Sequence, residues 1–279
     1  MDTQTSALAR PWKTRARRAA KGSVTEVAAR AGLTARGVIY LLVGVLALRV
    51  AFGDGSHQAD RGGALATIAQ QPFGDVLLWA LGIGVAGMAL WRLSEVVFGS
   101  AGPDGDKAGK RALAAVRCVF YVSVAWSVLS FAAGYGGSRS SDKQSRDLTA
   151  QAMGLPAGQW LVGAVGVGVA LAGVWVGVQA VRRKYRDKLR LGEMSQNTRR
   201  LVDVTGVGGG LARGLIFATA GVFAVRAAVE YQPKQAKGMD DTLRSFAGTP
   251  AGPWLLVLVA AGLMLFGLFS FALARWRRV

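Results

Sequence analysis

Long apolar stretches separated by short charged segments dominate the pattern of this chain. Residues 148–181 and 245–274 contain no Asp, Glu, Lys or Arg, whereas a helix needs only about 20 mostly apolar residues to cross a bilayer. Followed along the chain, the pattern predicts six spans at approximately 35–52, 73–98, 112–133, 157–181, 211–229 and 252–274. We therefore predict an all-α integral membrane protein with six transmembrane helices.

Three landmarks recur in the same order, which indicates an internal repeat. An arginine opens each odd-numbered span, a proline opens each even-numbered span, and an aromatic residue follows the proline by 19 positions. The arginines are Arg36, Arg117 and Arg213, the prolines are Pro72, Pro156 and Pro250, and the aromatic residues are Trp91, Trp175 and Phe269. The arginine-to-proline spacing is 36, 39 and 37 residues. This regularity predicts three parallel two-helix repeats in a pseudo-three-fold bundle.

The repeats divide the chain into six segments. A basic segment covers 1–34, repeat 1 covers 35–98, a linker covers 99–111, repeat 2 covers 112–181, a basic linker covers 182–210 and repeat 3 with a basic C-terminus covers 211–279. Ser23 to Glu26 fits a capping box, which favours a short helix on the membrane surface before the first span. The alternative for residues 1–22 is a disordered basic tail attracted to anionic lipid. The glycine-rich run from Gly206 to Gly210 predicts a flexible joint before the fifth span.

Small and apolar residues predict two further features. Gly173-x-x-x-Gly177, with Gly82, Gly166 and Ala260 at equivalent places, is typical of a helix packing seam, with pore lining as the alternative. Apolar residues spaced by three and four before each proline predict short amphipathic helices on the outer surface.

Basic residues are distributed unevenly between the two sides of the predicted membrane. The chain has 34 basic and 16 acidic residues, and 21 of the basic ones lie in the two termini and the two linkers, against seven in the other three loops. This bias predicts that both termini are cytoplasmic in a bacterial plasma membrane. A nucleic-acid-binding protein would not place its charges between long uncharged runs. The segment 182–200 is instead expected to contact anionic phospholipid or a membrane or cytoplasmic protein partner.

The repeats resemble a bacterial membrane family, common in actinobacteria and known as domain of unknown function 1206. The resemblance lies in the three-fold two-helix repeat, in the opening Arg36-Gly37-Val38-Ile39-Tyr40 and in the pattern from Leu148-Thr149-Ala150 to Pro156-Ala157-Gly158. It covers essentially residues 28–279 and implies the same six-helix fold. It implies no activity, cofactor or catalytic residue.

Six charged residues near the ends of spans are candidates for lipid or anion binding. They are Arg36, Arg117, Arg213, Glu95, Arg49 and Arg226. Charges within spans are functional candidates. The first three arginines are nevertheless expected at the cytoplasmic starts of their helices, where a long side chain also reaches headgroups. Interfacial anchoring and an anion or phosphate site around the pseudo-axis are therefore both open.

Glu95 is a candidate partner for Arg36, because an even-numbered helix regains the cytoplasmic side about 23 residues after its proline. The equivalent positions hold Gln179 and Leu273. The arginine is thus kept where the acid is lost, so pairing is not its general role.

Arg49 and Arg226 occupy matching places near the outer ends of the first and fifth spans. They are expected to extend outward to the interface. If they instead face the bundle, they make its outer mouth electropositive, with Glu230 as a local partner of Arg226.

The chemistry available to the chain argues against catalysis. A single cysteine, Cys118, and a single histidine, His57, exclude a disulfide, a thiolate zinc site and a bis-histidine haem pair within one chain. No nucleophile is paired with a base, so we expect no enzyme, cofactor or metal. The favoured function is a non-enzymatic lipid- or partner-binding protein, and the alternative is a channel or transporter for an anion along the pseudo-axis.

Overall fold

A computed structural model describes residues 23–53, 58–99, 108–135, 140–247 and 252–277. Within them the α-helices are α1 (Ser23–Ala51), α2 (Arg61–Ala69), α3 (Gly74–Phe98), α4 (Ala108–Ala132), α5 (Ser141–Met153), α6 (Gly158–Val181), α7 (Gln196–Val229), α8 (Met239–Ala247) and α9 (Gly252–Trp276). Short 3₁₀ turns cover Lys184–Lys188, Leu191–Glu193 and Pro233–Gln235. The predicted features at residues 1–22, at His57 and at Pro250, and most of the linker 99–111, lie outside the described residues.

Six of these helices, α1, α3, α4, α6, α7 and α9, are long and apolar enough to cross a membrane. The predicted all-helical, multi-pass membrane protein is therefore confirmed. Each repeat consists of a long helix, a short helix and a second long helix, and the short ones, α2, α5 and α8, lie where amphipathic segments were predicted.

The glycine that follows each proline is required by a close backbone approach. A Cβ on Gly74 would lie 2.6 Å from the carbonyl oxygen of Ile68, and one on Gly158 or Gly252 would lie 1.9 Å from that of Ala152 or Ala247. The residue between proline and glycine is left-handed where it is described, with φ of 63° at Phe73 and 58° at Ala157. The short helix thus ends directly against the start of the next long one.

The long helices pack mainly between repeats. Helix α3 lies against α4, α6 against α7, and α9 against α1, while α1 with α3 and α7 with α9 also pack within their repeats. The predicted small-residue seam lies in these interfaces: a Cβ on Gly82 would meet Leu129 at 2.5 Å, and one on Gly166 would meet the Val225 nitrogen at 2.8 Å. The seam is therefore a packing surface.

Carboxylates join the three repeats at the end of the bundle that carries the short helices, which we call the short-helix end. Asp240 accepts a hydrogen bond from the Ala59 nitrogen at 2.7 Å, and Asp60 accepts one from the Ser141 nitrogen at 2.6 Å. Asp142 accepts one from the Asp241 nitrogen at 3.1 Å. Each repeat thus holds the backbone of the next, in cyclic order, as a pseudo-three-fold arrangement requires.

The predicted separate surface helix before the first span is wrong. Helix α1 continues from Ser23 to Ala51, and its early residues Ala29 and Leu33 are fully buried. A Cβ on Gly32 would lie 2.6 Å from the Cβ of Met88. These first turns are helical because they pack against α3 and not because they lie on headgroups.

The predicted flexible joint at residues 206–210 is also wrong, because α7 passes through it without a break. A Cβ on Gly209 would lie 2.5 Å from the backbone of Phe266, and one on Gly210 would lie 2.3 Å from the Cβ of Ala180. The glycines therefore allow α9 and α6 to approach α7 closely.

Candidate anion-binding site

Six basic side chains come together toward the end of the bundle opposite the short helices, which we call the basic end. This basic cluster consists of Arg36, Arg92, Arg117, Lys188, Arg213 and Arg277. Its members come from five long helices or their ends and from the turn at Lys184–Lys188, which joins α6 to α7. Tyr121 on α4 lies among them, beside the guanidinium of Arg36.

The three repeated arginines lie inside their helices and not at the helix starts, so that part of the prediction is wrong. Arg36 and Arg117 lie 15 residues before the ends of α1 and α4, and Arg213 lies 16 residues before the end of α7. At 1.5 Å per residue they are about 22 to 24 Å from the short-helix end, which is less than the hydrocarbon thickness of about 30 Å. The distance from the short-helix end to the cluster is therefore smaller than the thickness of the hydrocarbon layer.

The basic end is longer than predicted because the helices there support one another. Arg30 on α1 donates hydrogen bonds of 2.9 Å to the carbonyl oxygens of Ala274 and Arg275 in the last turn of α9. Because of this packing and capping, α1 begins at Ser23, more than three turns before Arg36.

Two aromatic rings hold four of the arginines. The guanidinium carbons of Arg36 and Arg213 both lie 5.1 Å from the centre of the Phe266 ring. Those of Arg92 and Arg277 lie 4.2 and 4.4 Å from the centre of the Trp91 ring. Such contacts contribute up to about 2 kcal/mol each when they are desolvated. They position the cations without neutralising them.

Several guanidinium nitrogens have no hydrogen-bond partner. The Arg36 Nε donates to the Ser270 hydroxyl at 3.1 Å, and the Arg92 Nη1 donates to Glu95 at 2.5 Å. Among the described residues, the buried nitrogens without a partner are Arg36 Nη2, Arg92 Nε, Arg213 Nε and Arg277 Nε. A buried donor left unpaired costs about 1 to 3 kcal/mol. The cluster is therefore short of acceptors.

The cluster is also short of negative charge. Among the described residues, Glu95 forms an ion pair with Arg92, and its charge also acts on Arg117, Lys188 and Arg277. Burial, followed by the neighbouring guanidinium groups, lowers the pKa of Lys188 at the rim and of Arg277 beyond the end of α9. An anion bound here would raise the pKa of both Lys188 and Arg277, because it would favour their charged forms.

The predicted ion pair between Glu95 and Arg36 is wrong. Glu95 is bonded to Arg92, and its charge acts on Arg117 in the next repeat. The reason is that Glu95 has a partner three residues earlier on its own helix, while Arg36 on α1 donates to Ser270 on α9.

Arg49 and Arg226 do not join the cluster. Both are exposed near the short-helix end, and Arg226 lies 3.3 Å from Glu230, the local partner that the sequence predicts. The structure thus separates the six candidate residues into four at the cluster and two at the opposite end of the bundle.

Arg92, Lys188 and Arg277 belong to the site but are not among the six residues that the sequence marks as candidates. Arg92 had a usable signal, because it follows Pro72 by 20 residues, just as Ser270 follows Pro250. A polar residue at the same place in two apolar helices would have marked that position. Arg277 entered only as a charge that sets the orientation in the membrane, and Lys188 only as part of the basic segment 182–200 that was expected to contact anionic phospholipid or a protein partner.

Comparisons with known proteins agree with the repeat. The family model described as Domain of Unknown Function (DUF1206) matches residues 31–99, 112–183 and 208–277. A protein of Bacillus subtilis (strain 168), described as "Uncharacterized protein YxxB", is 30% identical over 243 residues, which are 86% of this chain and 87% of that protein. No solved structure matches the chain. The three matched stretches coincide with the three repeats.

Proposed function

The chain belongs to the DUF1206 family, and we propose that it is a non-enzymatic membrane protein that binds an anion of the phosphate class in its basic cluster. The observation that carries this proposal is the set of buried guanidinium nitrogens without partners. They belong to arginines of α1, α3, α7 and the end of α9, so a single ligand would join repeats 1 and 3.

A phosphate group suits this site. Arginine presents its donors in a planar fork that matches the oxygens of phosphate, and charge-assisted hydrogen bonds of this kind are roughly twice as strong as bonds between neutral groups. Six cations beside Glu95 leave an excess positive charge that a phosphate group would reduce. Glu95 is already bonded to Arg92 at 2.5 Å, which favours binding over proton-transfer chemistry.

The proposed orientation places the basic end on the cytoplasmic side of a bacterial plasma membrane, with both termini inside. Exposed Arg182 and Lys184 then face the inner surface of the membrane. There they favour contact with anionic phospholipid or with an acidic partner protein.

Passage of an anion along the pseudo-axis is the less favoured role. Between the cluster and the short-helix end, the bundle is filled by apolar side chains such as Val43, Leu46 and Leu263. Buried Asp60 and Asp240 lie at the short-helix end. An anion on this path would meet first an apolar layer and then negative charge.

Ligand binding by the purified protein tests the proposal. Native mass spectrometry and thermal unfolding would be measured in neutral detergent with inorganic phosphate and with dioleoyl phosphatidylglycerol as probes. We expect at least one probe to be retained and to raise the unfolding temperature. The variant Arg36→Gln/Arg117→Gln/Arg213→Gln should lose this effect, with a loss of roughly tenfold or more in affinity.

A matched control is Arg49→Gln/Arg226→Gln, which removes two exposed arginines at the other end and should bind as the wild type does. If the triple variant does not fold, Lys188→Gln at the exposed rim takes its place and should weaken binding severalfold. Failure of the wild type to bind either probe would reject the proposal. Phosphate flux into proteoliposomes that depends on Arg36 would show that the protein transports the anion, and transport would then replace binding as the proposed function.

A further inference from the structure

The two long helices of repeat 2 are not packed side by side. In repeats 1 and 3 the long helices are neighbours, but α4 and α6 have no such interface within the described residues. Helix α4 rests on α3 and helix α6 rests on α7, so the long helices form an arc that is open between α4 and α6. We call this opening the lateral cleft.

The connection between α6 and α7, residues 182–195, covers the aqueous side of the basic end. Leu189 pairs with Arg277 as an antiparallel bridge, and the Arg190 nitrogen donates to the Trp276 carbonyl oxygen at 2.9 Å. Leu189 and Met194 are 1% and 5% exposed. A ligand of the cluster therefore meets a folded cover on this side.

Asp203 on α7 holds this cover in place. Its carboxylate is paired with Arg186 and accepts a hydrogen bond from the Tyr185 hydroxyl at 3.1 Å. Two side chains of the connection thus fasten it to α7, which makes the lateral cleft the more accessible route to the cluster.

Both helices that border the lateral cleft carry exposed apolar side chains, and α4 also carries an exposed arginine of the basic cluster. Val116 and Phe120 are exposed beside Arg117 on α4, and Leu171 and Trp175 are exposed on α6. About 22 Å of helix separates Arg117 from the short-helix end, which is longer than one leaflet of a hydrocarbon core about 30 Å thick. A charged headgroup site therefore adjoins apolar surface long enough for lipid chains.

We infer that the ligand is an anionic phospholipid that enters sideways from the bilayer through the lateral cleft. Its phosphate contacts Arg117 first and then the inner guanidinium groups of Arg36 and Arg213, while its acyl chains lie along α4 and α6. This inference rests on the proposed anion-binding function and adds the source of the anion and its route.

Photo-cross-linking in nanodiscs tests the route. Phosphatidylglycerol with a diazirine in one acyl chain would be incorporated, and the labelled peptides would be mapped by mass spectrometry. We expect labelling to concentrate in residues 112–132 and 158–181 and to exceed severalfold that by phosphatidylcholine carrying the same diazirine. Arg117→Gln should lower it roughly tenfold, and the control Arg49→Gln should not change it.

The outcomes separate this inference from the proposed function. If inorganic phosphate or glycerol phosphate binds as tightly as phosphatidylglycerol, the cluster binds an anion but the lipid source is wrong. Labelling centred on the groove lined by Val27, Ile83 and Leu90, or cross-links from α4 to a second copy of the chain, would also overturn the lateral route. Absence of binding by every anionic probe would overturn both proposals.

Discussion

Arg36 and Arg213 share one aromatic ring, since the guanidinium carbon of each lies 5.1 Å from the centre of Phe266. The two arginines occupy equivalent places in repeats 1 and 3, and Phe266 lies on α9, which packs against both α1 and α7. Two like charges are thus held close together by an aromatic ring and not by an acid. This arrangement keeps the site positive and attractive to an anion.

Replacement of Phe266 with leucine should weaken both the fold and the site. The loss of two cation–π contacts should lower the free energy of unfolding by about 1 to 3 kcal/mol, measured by unfolding in sodium dodecyl sulfate. Affinity for phosphatidylglycerol should fall as well. Phe271→Leu is the control, because that ring packs against Gly37; an equal loss of affinity there would contradict the role assigned to Phe266.

Removal of the carboxylate Glu95 should have opposite effects on affinity and stability. Glu95→Gln leaves Arg92 and Arg117 without their negative neighbour, so an anion should bind roughly three- to tenfold more tightly. Without a ligand, the variant should unfold at a lower temperature, and phosphatidylglycerol should restore that temperature. Native mass spectrometry and thermal unfolding measure the two effects, and weaker anion binding by Glu95→Gln would contradict the charge argument.

The long helices were predictable because each depends on a local property, a run of about 20 apolar residues. The repeat was predictable because Arg36, Arg117 and Arg213 each precede a proline by 36 to 39 residues. The interruptions predicted before Arg36 and at Gly206 to Gly210 were wrong for one physical reason. Packing against a neighbouring helix determines whether such a segment is helical, and the neighbour cannot be identified from local sequence.

The site was predictable only in part. Four of the candidate residues, including Glu95, lie at the cluster because they occupy similar depths in their helices. The partner of Glu95 was assigned to Arg36 on α1, whereas Glu95 pairs with Arg92 on its own helix. Lys188 reaches the cluster because its connection folds back over the bundle, and no helical periodicity encodes that path.

The interface between α6 and α7 should tolerate no added side chain at Gly173. A Cβ there would lie 2.3 Å from the Ala218 nitrogen and 2.6 Å from the Gly214 carbonyl oxygen. Gly173→Ala should therefore cost about 1 to 3 kcal/mol in sodium dodecyl sulfate unfolding. Gly168→Ala on the same helix meets open space and should be neutral or stabilise by about 0.5 to 1 kcal/mol; equal losses at both sites would contradict close packing of α6 on α7.

Asp142 should make the short-helix end sensitive to pH. Burial, followed by the negative charges of Asp241, Asp240 and Asp60, raises the pKa of Asp142 from 3.8 to about 6, although the Asp241 N–H opposes the rise. Because the folded pKa exceeds the unfolded one, ionisation is less favourable in the folded state. The stability that protonated Asp142 contributes to the folded state is fully present below about pH 4 and is lost as the pH rises through about 6.

Asp142→Asn should remove most of that dependence, because the amide oxygen still accepts from the Asp241 nitrogen and carries no charge. Thermal unfolding between about pH 4 and pH 7 measures it. The nearby pairs Arg146 with Asp241 and Arg244 with Asp240 are unchanged in this variant. Asp75→Asn, at an exposed site on α3, is the control, and an unchanged pH profile in Asp142→Asn would assign the effect to another group.

Membrane orientation is tested by thiol labelling in a Cys118→Ser background. Tyr135 is 89% exposed just past the end of α4, and Arg182 is exposed at the opposite end of the bundle, directly after α6. Because the basic residues favour the cytoplasmic side, Tyr135→Cys should react with a membrane-impermeant maleimide on intact spheroplasts. Arg182→Cys should react only after lysis. The reverse pattern would place the basic cluster near the outer leaflet, and an anionic lipid would then have to reach the lateral cleft from that side.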